Sequence, residues 1–202
     1  MKKQIANLKS LTAGVFIDDA NLFYAQKKAG WRIDLKKLRK ILAKEVKIAF
    51  VNYYLALPAS WDNAYKATRN YISKINKDVN VKTKPLKYIR TGNQIIKKGD
   101  VDLEIALDVA RNLKQLDIVF IVSGDSDYIE LRRFLLEQGK KIVFLGFKEN
   151  MAWEIKQGKY LFLNNLRQFI ELNKKTPGYY PGRLLLTILY QKKGKPSRAK
   201  VV

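Results

Sequence analysis

Apolar residues in this chain fall into short unbroken runs separated by amphipathic stretches, and one run organises the rest. Ile118-Val-Phe-Ile-Val122 holds five apolar residues without alternation, the pattern of a strand covered on both faces of a parallel sheet. The acidic stretch Ser123-Gly-Asp-Ser-Asp-Tyr128 follows, with Gly124 for a sharp turn and Asp127 placed to cap a helix. That helix carries Ile129, Leu131, Phe134 and Leu135 on one stripe and ends at Gly139. Asp125 and Asp127 therefore stand at the carboxyl end of a central strand, where open parallel sheets keep their ligand sites.

The rest of the chain repeats this grammar. Val15 to Ile17 predicts a strand that runs directly into Asp18, Asp19 and Asn21. Helices are expected over Ala20 to Lys28 and Asp34 to Lys44. A third is expected over Ser60 to Ile75, where Trp61, Ala64, Tyr65, Thr68, Tyr71, Ile72 and Ile75 recur at helical spacing. Ile48 to Leu57 and Val79 to Ile89 read as extended, and Thr91-Gly-Asn93 turns Gln94 to Lys97 back as a hairpin strand. A helix over Val101 to Leu113 precedes the central strand. After it come a strand over Lys141 to Phe147, a short helix over Asn150 to Gln157, an edge strand over Tyr160 to Leu163 and a closing helix over Leu166 to Leu172. Strands alternating with helices through short links predict an α/β fold with a mainly parallel, doubly wound sheet.

Residues 1–172 read as one domain. Residues 173–202 read as a basic C-terminal appendage, punctuated by Pro-Gly pairs, with eight bases and no acid. Within it Leu184 to Tyr190 either docks on the core or meets a partner.

Composition narrows the chemistry. The 202 residues include no cysteine and no histidine, which removes structural zinc, disulfides, cysteine nucleophiles and every histidine-based acid/base mechanism. Carboxylates, hydroxyls, Lys, Arg, Tyr and a divalent cation remain. No run of 18 apolar residues occurs and the first ten residues lack the apolar core of a signal peptide, so a cytoplasmic protein is expected. The net charge of +22 calls for a polyanionic partner, nucleic acid before an anionic membrane surface. Between Asp100 and Glu130, however, eight acids meet two bases, a local −6 inside a chain whose other residues carry +28. An acidic island of this kind suits a metal site to which basic surroundings deliver phosphates.

On a helical wheel of Val101 to Leu113, Asp102 falls in the middle of the apolar arc, where an unpaired carboxylate is costly. A metal shared with other carboxylates, an internal Lys or Arg, or an opening to water would each answer that. Asp108 falls at the edge of the polar face, in a supporting or surface position. Ser123 and Ser126 either orient ligands or simply belong to the turn. Lys98 either steadies a phosphate or is a solvated loop lysine, and Glu130 and Glu137 read as solvated.

Three blocks, Phe16-Ile-Asp-Asp-Ala-Asn-Leu22, Lys98-Gly-Asp-Val-Asp-Leu-Glu-Ile-Ala-Leu-Asp108 and Val122-Ser-Gly-Asp-Ser-Asp-Tyr128, together resemble the signature of bacterial NYN-domain proteins. These form the LabA-like branch of the PIN-like nuclease superfamily, and the resemblance covers residues 13 to 172. It implies a three-layer α/β/α, PIN-like (Rossmann-like) fold that binds Mg²⁺ or Mn²⁺ and cleaves RNA. By matching position, Asp18, Asp102, Asp125 and Asp127 would be the carboxylate cluster, and Asn21 a neighbour that orients a ligand or water. Asp19 stands where many members have glycine and is expected to serve as a turn residue.

The expected function is therefore a metal-dependent ribonuclease acting on single-stranded RNA. The alternative is an RNA-binding regulatory module with little or no turnover. A nucleotide-sugar transferase, suggested only by Asp125-Ser-Asp127, leaves Asp18 and Asp102 unexplained. Lys36 to Lys40, Lys82 to Arg90 and Lys192 to Lys200 are candidates for an RNA track, with Tyr53, Tyr54, Tyr88, Tyr179 and Tyr180 as stacking platforms.

Overall fold

The chain's structure, a computed structural model, describes residues 8–175 and 188–189. Among these lie strands β1 (Thr12–Asp18), β2 (Lys47–Leu57), β3 (Asn80–Pro85), β4 (Lys87–Thr91), β5 (Gln94–Lys98), β6 (Ile118–Val122), β7 (Lys141–Gly146) and β8 (Tyr160–Phe162). The helices are α1 (Asp19–Ala29), α2 (Leu35–Ala43), α3 (Tyr65–Ile75), α4 (Asp102–Asn112), α5 (Ile129–Glu137), α6 (Trp153–Lys156) and α7 (Arg167–Ile170). Six strands form one sheet in the order β3-β2-β1-β6-β7-β8, with every pairing parallel. The chain moves outward from β1 through β2 to β3, returns through α4, and restarts at β6 on the other side of β1. Strand order thus reverses between β1 and β6, which opens a crevice at their carboxyl ends.

The five residues of β6 are all buried, as their unbroken apolar run requires. Ile118, Phe120 and Val122 enter a core shared with Leu22 of α1, Leu38 of α2 and Phe169 of α7. Val119 and Ile121 enter a second core with Ile105 of α4, Leu135 of α5 and Ile155 of α6. Two helical layers therefore cover the sheet, giving the α/β/α architecture.

Several local expectations are corrected, each by a tertiary partner. The helix expected from Ser60 begins at Tyr65, because Asp62 accepts the Ala64 N–H at 2.9 Å and the Tyr88 hydroxyl at 2.7 Å, which holds residues 60–64 in turns. Trp61 is left 66% exposed. The strand expected over Val79 to Ile89 splits, since Pro85 has no N–H to continue a ladder; β3 stays in the main sheet while β4 pairs antiparallel with β5 as a separate hairpin. Asp125, not Asp127, provides the cap: its Oδ1 accepts the Asp127 N–H at 3.1 Å and starts a 3-10 turn over Ser126–Tyr128 ahead of α5. In α4 the buried face is Ile105, Asp108 and Val109, while Leu103 and Leu107 face solvent.

That reversal at α4 follows from Asp108, which is buried rather than at the surface. It accepts from the Tyr54 hydroxyl at 2.6 Å, contacts Lys82 Nζ on edge strand β3, and lies 3.5 Å from Arg111. Burial works against its charge, but Lys82, Tyr54 and Arg111 outweigh it and hold its carboxyl below the usual range.

Most of the appendage, including Tyr179, Tyr180 and Lys192 to Lys200, lies outside the described residues. Ile188 is described, and it is 1% exposed within the core of α1, α2 and α7. Ile188→Ala is expected to cost about 2–5 kcal/mol, as for other fully buried aliphatic truncations. Urea unfolding followed by circular dichroism measures it, and a change under about 0.5 kcal/mol, the size usual for surface positions, would show that residue 188 adds nothing to the core.

Candidate active site at the carboxyl ends of β1 and β6

The reversal of strand order brings the last residue of β1 beside the turn that follows β6. Ile17 pairs with Val122 in register, so Asp18 faces Ser123 across the crevice. Asp18 is 4% exposed and performs two local tasks. Its Oδ1 accepts the Asn21 N–H at 3.1 Å, capping α1, and its Oδ2 accepts the hydroxyls of Ser123 and Tyr128, each at 3.4 Å.

Asp102 comes from the first turn of α4, and its carboxylate lies within electrostatic reach of the same Tyr128 hydroxyl. Asp125 follows on the β6 turn, half-buried, its N–H donating to Ser123 Oγ at 3.2 Å. Asp127 lies exposed at the rim. The fold thus brings Asp18, Asp102 and Asp125 within electrostatic reach of one another and leaves Asp127 outermost.

Among the described residues no base bonds to Asp18 or Asp102, and the titration of these two reflects it. Burial pushes Asp18 up to about 6; the Asn21 N–H offsets part of this, while the charges of Asp102 and Asp125 add to it. Burial also raises Asp102, with the Tyr128 hydroxyl opposing and the charges of Asp125, Asp127 and Asp100 reinforcing. Tyr128 itself is buried and faces two carboxylates, which raises its phenol far above the ordinary range and keeps its hydroxyl a donor.

Asn21 is part of the frame. Its Oδ1 accepts the Gly124 N–H at 2.9 Å and Asn150 Nδ2 at 3.1 Å, and its carbonyl takes the same Asn150 amide at 3.3 Å. The Ala152 N–H bonds the Gly124 carbonyl at 2.8 Å, so Gly124 is held on both sides. A Cβ at Gly124 would sit 2.7 Å from the Asn150 carbonyl oxygen, which requires glycine there. Asn150 Oδ1 is buried without a partner, the one such side-chain atom among the described residues.

Asp19 turns away from this crevice: its Oδ1 accepts the Tyr53 hydroxyl, which in turn lies 3.0 Å from the Tyr71 hydroxyl. Burial raises its pKa, with Tyr53 opposing. Tyr128 and Asn150 carried no role in the sequence reading. Tyr128 stood inside the third motif block, directly after Asp125-Ser-Asp127, whereas Asn150 had no local signal.

The donor set is all hard oxygen and lacks a compensating cation, which fits Mg²⁺ or Mn²⁺. Among the described residues no three carboxylates converge closely enough to enclose one ion by direct ligation. The arrangement therefore suits a cation held through one or two carboxylates and retaining water, the habit of Mg²⁺.

A parallel α/β sheet with uncompensated acids at its switch point defines a class of acidic-crevice, PIN-like domains. The chain belongs to the NYN domain family, a PIN-like nuclease family, the match running over residues 12–171. It is 28% identical over 166 residues to the Low amplitude and bright protein LabA of Synechococcus elongatus, covering 80% of this chain and 88% of that protein. It is 26% identical over 171 residues to the protein MJ0482 of Methanocaldococcus jannaschii, covering 80% of this chain and 60% of that one. The fold is similar to the crystal structure of the protein of unknown function VPA0982 from Vibrio parahaemolyticus, with TM-score 0.63 and 19% identity over 81% of this chain and 97% of that one. No helix among the described residues is long and apolar enough to cross a membrane.

The raised Asp18 sets the sign of a pH effect. Its native carboxyl titrates near 6 against an ordinary 3.8, so the folded state prefers the protonated form. The stability this gives is complete below about pH 4 and is lost as pH rises through 6, a loss of about 3 kcal/mol in metal-free protein. Asp18→Asn, which keeps the cap, should remove this dependence. Unfolding midpoints in EDTA at pH 5 and pH 7.5 check it: the parent should fall relative to the variant between the two, and parallel shifts would refute the assignment.

Proposed function

We propose that the protein is a metal-dependent ribonuclease that hydrolyses phosphodiester bonds of single-stranded RNA at the carboxyl edge of β1 and β6. The observation that supports this most is the convergence of Asp18, Asp102 and Asp125 on one crevice, with no base among their hydrogen-bond partners, in a chain of net charge +22. Asp125 and Asp102, with Asp18 behind them, would hold Mg²⁺ or Mn²⁺. When bound, the ion supplies charge relief at the phosphoryl oxygens and a water of lowered pKa.

The chain's own groups do the positioning. Tyr128 donates its one hydroxyl proton to Asp18 and helps fix its orientation, with the Asp102 charge within electrostatic reach. Asn21, itself held by Asn150, and the Ala152 N–H hold Gly124, and through it the turn that presents Asp125. Asp127 at the rim discourages anions from entering without a cation. The protein is expected to work in the cytoplasm.

One observation favours the second reading, an RNA-binding regulatory module with little turnover: among the described residues no three carboxylates are grouped closely enough to hold a metal ion together. The two readings separate on a labelled single-stranded RNA incubated with Mn²⁺. The ribonuclease reading expects cleavage that EDTA abolishes and that Asp125→Asn lacks. In EDTA the variant should be at least as heat-stable as the parent, because one repelling charge is gone; with millimolar Mn²⁺ the order should reverse, since only the parent keeps its ligands. Cleavage surviving exhaustive metal removal, or midpoints that metal leaves unmoved, would sink the ribonuclease.

A further inference from the structure

The stretch Lys82 to Arg90 reads in sequence as one basic track, but the fold divides it. Lys82 is bonded to Asp108, and Lys84 Nζ lies 2.8 Å from Glu104, so both are neutralised at the sheet edge. Tyr53 and Tyr54 are 1% and 2% exposed and offer no face to a base. What remains accessible is the hairpin β4–β5, which leaves the carboxyl end of β3 and re-enters the chain only a few residues before Asp102. Its base is pinned against the end of β2, because a Cβ at Gly99 would lie 2.5 Å from the Ala56 side chain.

Residues paired across the hairpin share a face. Tyr88 pairs with Lys97 and Arg90 with Ile95. The Tyr88 and Lys97 side chains on this face dock: Lys97 Nζ lies 2.6 Å from Asp62, Tyr88 donates to Asp62, and the Tyr88 ring lies 4.4 Å from Trp61. These contacts hold Asp62 down at about 2 and anchor a two-stranded ribbon that is marginal by itself.

The opposite face holds Lys87 against Lys98, Ile89 against Ile96, and Thr91 against Gln94. Ile89 and Ile96 are 45% and 51% exposed. Lys87 meets no carboxylate among the described residues, and Lys98 has only a solvent-exposed contact with Asp100 at 3.6 Å. Two like charges directly opposed across a ladder destabilise it, and an anion between them reverses the sign. The segment from Lys82 to Lys98 contains six bases and no acid, so the complementary partner is a polyanion.

We propose that this outward face of β4–β5 is a grip for single-stranded RNA. Lys87 and Lys98 take a phosphate between them, and Ile89 and Ile96 pack against a base or ribose. The grip rests on the ribonuclease reading above for its purpose, that of leading the strand into the crevice beginning at Asp102. Its binding is separable from hydrolysis.

The test uses the full chain in EDTA, a labelled oligouridylate, and fluorescence anisotropy over a range of salt. Lys87→Glu turns a like-charge pair into an opposite one, so its thermal midpoint should hold or rise. Its RNA affinity should nevertheless fall about tenfold, and its log-log salt slope should become shallower by about 0.7 or more. Lys114→Glu, an equal charge change at the far end of α4, controls for net charge and should lose much less. Equal losses in the two variants, an unchanged slope, or a parent that does not bind RNA would overturn the grip. So would sedimentation showing that Ile89→Ser separates a dimer while RNA affinity is kept, since a second copy would then own the face. A parent that binds in EDTA yet never cleaves with Mn²⁺ defeats the ribonuclease alone; one that cleaves but binds no better than Lys87→Glu defeats the grip alone.

Discussion

The buried carboxylate of Asp18 is the constraint around which the site is arranged. It ends the central strand β1, caps α1 and faces the β6 turn, and each of those positions follows from the reversal of strand order at β1 and β6. A charge so placed normally recruits a base. Here it is given hydroxyls from Ser123 and Tyr128, one backbone N–H, and two further carboxylates within electrostatic reach. The folded state is thereby left with negative charge that the described protein groups do not neutralise, and it is this residual charge that the proposed cation would answer.

Elsewhere the same chain does neutralise its acids. Asp108 meets Lys82, Tyr54 and Arg111; Glu104 meets Lys84; Asp62 meets Lys97 and Tyr88; and Glu171 meets Arg167 and Lys174. The contrast gives the crevice its meaning, since bases are abundant in this protein and are absent from the hydrogen bonds of Asp18, Asp102 and Asp125. The pairing also decides which lysines stay available to a polyanion. Lys82 and Lys84 are taken by α4, and the hairpin projecting beside it keeps Lys87 and Arg90 clear of any carboxylate among the described residues.

Rigidity around the turn comes from small polar groups. The Asn21 side chain and the Ala152 N–H tie the Gly124 backbone from two directions, Asn150 holds the Asn21 amide, and the close approach of the Asn150 carbonyl excludes any side chain at position 124. Asp125 is thus presented by a turn bonded to α1 and to the segment ahead of α6, which is how a loop residue acquires the precision of a scaffold.

What was legible in the sequence was what neighbours along the chain decide. The unbroken run Ile118–Val122 and the turn at Thr91-Gly-Asn93 sit where their local patterns place them, as do the acids following β1 and β6, because period and turn chemistry act within a few residues. The family resemblance extended this to the α/β/α architecture and the NYN domain. What only the tertiary structure decided was which side chains meet. Tyr53 and Tyr54, equally fit for stacking by composition, are enclosed because β2 lies between β1 and β3. Asp108 is buried and Leu103 exposed, against the helical wheel, because Lys82 and Tyr54 arrive from strands 26 and 54 residues away. Tyr128 becomes a donor to Asp18 for the same reason: Asp18 lies 110 residues from it in sequence and 3.4 Å from it in space. Local pattern sets the backbone's periodic elements, whereas burial and charge compensation depend on partners that only chain reversal brings together.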